Sequence, residues 1–136
     1  MKRKYLLIAV VFWLILILVG IYFYNKPHRN AAHEKTDVQS DAVALYSQFQ
    51  QNEASANQRF LDKIIEVSGK IADVHESGNS IIVLLDAGSV PGGINCSFTN
   101  TEHDIQMPAK GTLITVKGKC TGFLMDVNLV DCVLAK

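Results

Sequence analysis

The chain has 136 residues, enough for one domain, and its formal net charge is zero. That zero averages two unlike parts. Of thirteen basic and thirteen acidic residues, residues 1–36 hold six basic and one acidic, so residues 37–136 hold seven basic and twelve acidic, a net of −5. An acidic main part opposes binding to a polyanion.

Residues 1–4 form a basic tail with Lys2, Arg3 and Lys4. Residues 5–24, YLLIAVVFWLILILVGIYFY, carry no charge. Twenty residues at the helical rise span about 30 Å, the thickness of a bilayer's hydrocarbon core. Tyr5 at one end and Tyr22 and Tyr24 at the other are placed as in an aromatic belt. A buried core helix would need a second apolar helix beside it, and the sequence holds none. A cleaved signal peptide usually has an apolar core of about 7–15 residues and a small-residue cleavage site, whereas this run is longer and ends in bulky aromatics. The expectation is an uncleaved single-pass anchor. No cysteine near its end offers a lipid-attachment site. The dense basic cluster before the run, against the dispersed Lys26, Arg29 and Lys35 after it, favours a cytoplasmic N-terminus. The C-terminal domain is then extracytoplasmic at the cell membrane, and periplasmic if the source is a Gram-negative bacterium.

Residues 25–40, NKPHRNAAHEKTDVQS, show no apolar period and read as a tether. His28 and His33 read as exposed residues of that tether. From residue 41 the composition becomes that of a folded domain, 41–136. DAVALYSQFQQNEASANQRF (residues 41–60) predicts one amphipathic helix, with Leu45, Phe49, Ala56 and Phe60 on or near one face. Ser40 or Asp41 would cap its start. The period then changes to two. Strands are predicted at Lys63 to Val74, Ser80 to Asp86, Ile94 to Thr99, Leu113 to Cys120 and Val127 to Leu134. In the last, Val130, Cys132 and Leu134 would share the inner face. GSVPGG (residues 88–93) reads as a loop, because no Lys-Ser/Thr or helix follows it. Five short strands, nearly all with one apolar face, suit a small closed barrel. Gly69 and Gly118, inside strands, suit its bends. The fold class expected is all-β with an added helix, plus an N-terminal transmembrane helix.

The helical stretch ALYSQFQQNEASANQRFLDKIIEVSGKI, followed late in the chain by VKGKCTGFLMDVNLVDC, resembles the tRNA-anti-like family of small OB-fold proteins. The resemblance covers about residues 41–135. It implies a five-stranded Greek-key OB barrel preceded by an amphipathic helix, in proteins often secreted or membrane-anchored. It implies little about activity, since a fold does not carry a function with it. In the implied topology the fifth strand lies beside both the third and the fourth.

Cys96, Cys120 and Cys132 fall on strands. Their odd number leaves at least one thiol unpaired within the chain, so one disulfide at most is expected. Cys96–Cys132 and Cys120–Cys132 both remain open. No CxxC or close His/Cys set exists, so neither a metal site nor a redox motif is expected. No cofactor motif and no catalytic constellation appear either, and the chain reads as a non-enzyme.

The candidate binding residues are Lys117 and Lys119 on one strand face, and Phe123, Leu124 and Met125 in the turn TGFLM. OB folds often bind partners on the loop between their last two strands. Phe123 or Leu124 could instead plug the barrel's end. The function expected is a membrane-anchored binding module for a protein, peptide or small ligand. The alternative is a cytoplasm-facing OB domain that binds single-stranded nucleic acid, which the net charge and the scarcity of loop aromatics disfavour.

Overall fold

An apolar run without polar interruption satisfies its backbone most simply as a helix. In the structure, a computed structural model that describes residues 2–24, 31, 33–88, 91–99 and 106–135, the run is helix α1 (Lys2–Tyr24). Leu7–Tyr24 is long and apolar enough to cross a membrane, and none of it is buried against the rest of the chain. It is therefore not a core helix. Tether residue His28 lies outside the described residues, and His33 is exposed.

The tether is shorter than expected. Val38–Asp41 forms strand β1, which runs parallel to β2 (Ile64–Ser77) from Val38↔Ile65 to Asp41↔Ser68. Asp37 starts the pairing from both sides: its N–H donates to the Ile64 carbonyl at 2.8 Å, and its carboxylate accepts from the Ile64 N–H at 2.9 Å. Four residues reading VQSD are too few and too polar to show a period, so only the distant partner reveals the strand.

The single helix expected over residues 41–60 is two. Helix α2 spans Ala42–Gln51 and α3 spans Glu53–Phe60. Asn52, at φ −159° and ψ 93°, sits between them in extended backbone. Its N–H closes α2 onto the Gln48 carbonyl at 3.2 Å, and its side chain caps α3 by accepting from the Ser55 N–H at 3.0 Å. Asparagine competes with helical hydrogen bonding through its own side chain, which favours a cap over an interior position. Asp41 caps α2 in the same way, accepting from the Ala44 N–H at 2.8 Å.

The remaining strands are β3 (Ser80–Asp86), β4 (Gly93–Thr99), β5 (Leu113–Phe123) and β6 (Val127–Leu134). The sheet order is β1-β2-β3-β4-β6-β5, and β2 also pairs with β5. Five strands thus close on themselves, with β1 added outside. The long β2 serves two neighbours in turn: Ile64 to Lys70 pairs with β5, and Ile71 to Ser77 with β3. Near the end of the first segment, paired with Ile114, is Gly69, where a Cβ would come 2.9 Å from that of Ala42, so the missing side chain admits the start of α2. Inside are Ile65, Val67, Val83, Leu85, Ile94, Phe98, Val116 and Leu129, all essentially inaccessible to solvent. Removing that apolar area from water is the main favourable term in folding.

One face assignment is corrected. Lys117↔Val133 and Lys119↔Val130 are both paired, so Asp131 and Cys132 stand together opposite Gly118. This is a β-bulge, and Asp131 takes the left-handed φ of 51° that such a residue can use. The extra residue shifts the alternation. Val127, Leu129 and Cys132 are the buried residues of β6, while Val130 is half-buried and Leu134 is 38% exposed.

Candidate binding site

Helices α2 and α3 lie over one end of the barrel, and the ring of Phe123 closes that end from β5. Its ring stacks on Phe49 at a centroid distance of 5.6 Å and meets Tyr46 edge-on at 5.7 Å. Phe49 in turn packs on Phe60 at 5.7 Å. Pairs at these separations add to the area they bury. Phe123 is therefore a plug, and the turn after it is what faces outward.

Leu124 is 87% exposed and Met125 74% exposed. Their backbone, however, is held from several directions. The Tyr46 hydroxyl donates to the Met125 carbonyl at 3.1 Å. The Leu124 N–H reaches the Asp126 carbonyl at 3.2 Å, and Asn128 Nδ2 donates to the same oxygen at 3.1 Å. The Asp126 carboxylate accepts from the Gly93 N–H at 2.8 Å, which ties the turn to β4. Two apolar side chains thus project from a fixed support.

Beside them is an open hollow of about 610 Å³, lined by Asn57, Leu61, Phe123, Leu124, Thr121, Asn128 and Val130. Leu61 is 42% exposed. Asn57 Oδ1 is shut away from solvent and accepts no hydrogen bond among the described residues. A buried acceptor without a donor is costly, but an oxygen closed to water is closed to a ligand donor as well. Sequence reasoning missed Asn57, Leu61 and Val130. Asn57 reads only as a polar helix position, and Leu61 only as the residue after a helix.

The two lysines do not join this site as free cations. Lys117 Nζ donates to the Glu34 carbonyl, and Lys119 Nζ lies 3.0 Å from the Asp62 carboxylate. Of the five candidate residues, Phe123, Leu124 and Met125 come together at the barrel's end, and the lysines are occupied on the strand face. A second hollow of about 500 Å³ lies where β2 and β3 leave the barrel, between Asp73, Glu76 and Ile81 on one side and Gln106 to Lys110 on the other. Its charges are of both signs.

Cys96, Cys120 and Cys132 are all buried free thiols. Burial raises the Cys120 thiol above its ordinary value. Burial raises Cys132 well above it, and the nearby Cys96 thiol adds to the shift. Among the described residues no group of three or more His, Cys, Asp or Glu side chains could hold a metal ion.

A closed five-stranded barrel in the order β2-β3-β4-β6-β5 is the OB architecture. The tRNA_anti-like family model matches residues 1–134, and the chain belongs to that family. The match extends through α1, beyond the part that carries the resemblance in sequence. Among solved structures, a Klebsiella pneumoniae lipoprotein provisionally named as nucleic acid-binding is 21% identical, with a TM-score of 0.60 over 82% of this chain and 100% of its own. The Stn1–Ten1 complex of S. pombe gives 20% identity and a TM-score of 0.41 over 54% of this chain and 58% of its own. A Leishmania major protein provisionally named an aspartyl-tRNA synthetase gives 14% and 0.47, over 84% of this chain and 24% of its own. Comparison with curated protein sequences gives no match. At these identities the likeness to the lipoprotein bears on the fold.

Proposed function

We propose that the chain is a membrane-anchored OB-fold binding module, held on the extracytoplasmic side, that takes an apolar side chain of a protein or peptide at the β5–β6 turn. The observation that carries this reading is the exposure of Leu124 and Met125, 87% and 74%, on a turn whose backbone is pinned. A rigid support lowers the ordering cost of binding. The adjoining hollow, with Leu61 and Phe123 in its walls, offers an apolar seat. The anchor rests on α1, and the side of the membrane on the cluster Lys2, Arg3 and Lys4. The module is proposed to have no catalytic activity of its own.

The nucleic-acid reading draws support from the name of the Klebsiella protein. Three features of this chain weigh against it. Lys117 and Lys119 are engaged, no Phe, Tyr or Trp side chain from residue 31 onward is exposed among the described residues, and residues 37–136 are net acidic. The test places a photo-crosslinking amino acid at Leu124 in the full-length protein in intact cells, with Leu113, 68% exposed, as the control position. A protein adduct from position 124 alone supports the reading. Oligonucleotide binding by the purified protein that weakens steeply with salt, without such an adduct, overturns it.

A further inference from the structure

The loop before β4 and the turn after β5 meet over the hydroxyl of Tyr46. That hydroxyl donates to the Met125 carbonyl at 3.1 Å, and the Pro91 carbonyl lies 3.5 Å from it. The Asp126 carboxylate accepts from the Gly93 N–H at 2.8 Å. Between these contacts stands Gly92, whose φ of 152° suits a residue without a Cβ. Space makes the same demand. A Cβ on Gly92 would run into the Tyr46 hydroxyl and come 2.8 Å from the Met125 carbonyl oxygen. The bare Cα is what lets the loop, α2 and the turn approach one another. Gly88, earlier in the same loop, is the contrast. Its φ is 100°, yet a Cβ there would meet only Val43, at 4.0 Å.

We infer that Gly92 is a positioning residue for the binding turn: by admitting the Tyr46 hydroxyl against the Met125 carbonyl, it sets where Leu124 and Met125 project. The inference rests on the binding role proposed above for that turn. Of the three parts that meet at Gly92, only one can yield. The Tyr46 ring is buried and lies edge-on to Phe123, which stacks on Phe49, so it cannot draw back without opening the core. The loop is fixed one residue later, where Gly93 pairs with Asp86 and the Leu85 carbonyl leaves no room for a Cβ. The turn has solvent on its outer side, where Leu124 and Met125 stand exposed. Bulk added at Gly92 is therefore relieved by moving the turn. A turn that no longer rests on Tyr46 samples more conformations and has more entropy to lose when a partner binds.

The test compares Gly92→Ala with Gly88→Ala in the full-length protein. Both place a Cβ at a positive φ, but only the first sets it against the Tyr46 hydroxyl and the Met125 carbonyl. Amide exchange at Leu124, Met125 and Asp126 should quicken about tenfold in Gly92→Ala, with β2 to β4 unchanged, and stay within about twofold of the parent in Gly88→Ala. The protein adduct from a photo-crosslinker at Leu124 should fall about fivefold in Gly92→Ala and hold in Gly88→Ala. In a Tyr46→Phe background, Gly92→Ala should change either readout by less than about twofold, because both substitutions break one junction. Should Gly92→Ala fail to fold, Asp126→Ala, which cuts the Gly93 tie and adds no atom, carries the same two expectations. Equal effects of the two glycine variants, an unmoved turn, or full additivity with Tyr46→Phe overturn the positioning role. A parent protein that gives no adduct overturns the binding role instead, and the exchange rates then decide the positioning alone.

Discussion

Phe123 and Leu124 are neighbours in the chain and opposites in the fold. Phe123 ends β5 with its ring stacked on Phe49, whereas Leu124 opens the turn and is 87% exposed. The contrast extends to their surroundings. Tyr46, Phe49 and Phe60 form a layer of side chains that serves stability, and Leu124, Met125 and Leu61 form a rim that contributes little to it. Tyr46 belongs to both, since its ring packs inward while its hydroxyl holds the Met125 carbonyl. Apolar character alone therefore does not separate core from site. What separates them is whether the backbone turns the side chain inward, and here the hydrogen bonds around Asp126 decide that.

The strongest way to break this contrast is to empty the inner layer. Phe49→Ala should destabilise the domain by about 3–5 kcal/mol, the usual cost of a large aromatic deleted from a packed core. Urea unfolding followed by tryptophan-independent far-UV circular dichroism would report it. Binding at the rim should then fail along with the fold. A loss under about 1 kcal/mol would mean that the helices do not seal the barrel's end.

The buried thiols of the barrel come next, through the alkaline limb of the stability profile. Unfolded thiols lose their protons near the ordinary value of 9.0, while the buried Cys120 and Cys132 hold theirs to higher pH. The folded state then binds more protons, so stability is fully present below that value and falls as pH rises past it. Cys132→Ala should therefore lose thermal stability above this point less steeply than the parent protein, which carries both raised thiols. Parallel melting profiles from neutral to alkaline pH would contradict the assignment.

Tyr46→Phe sharpens the contrast without emptying the core. It keeps the ring against Phe123 and removes the donor to the Met125 carbonyl. The expected loss is about 1 kcal/mol, with faster amide exchange confined to the turn. Exchange that rises equally throughout the barrel would show that the hydroxyl does not act on the turn in particular.

The legible parts of this molecule are those in which a local period has one cause. SIIVLLD, INCSFT and the anchor run could be read directly, because each keeps one environment along its length. Three features escaped because their causes are remote or single-residue. β1 is a strand only through Asp37 and Ile64, 27 positions apart. The helix breaks at one asparagine whose side chain makes a cap. The inward turn of Cys132 depends on Asp131 taking a positive φ opposite a glycine, which alternation cannot anticipate. The site was half legible. TGFLM marks itself as an apolar turn, but its sequence does not say which side chain plugs and which projects. Lys117 and Lys119 looked like a patch because Glu34 and Asp62, their partners, lie in other segments.

The smallest effect on stability should come from the change that matters most for function. Leu124→Asp with Met125→Asp places two carboxylates where two apolar side chains already stand in water. Little burial is lost, so stability should stay within about 0.5 kcal/mol of the parent. Binding should not survive, because a carboxylate brought against an apolar partner must give up its water without a compensating charge. Adducts from a crosslinker at Leu61, on the same rim, should fall at least tenfold in the double variant. Adducts that persist would move the binding surface away from the turn. A fall in unfolding midpoint as large as that of Phe49→Ala would instead show that Leu124 and Met125 are part of the seal, and the division between layer and rim would have to be redrawn one residue further along the chain.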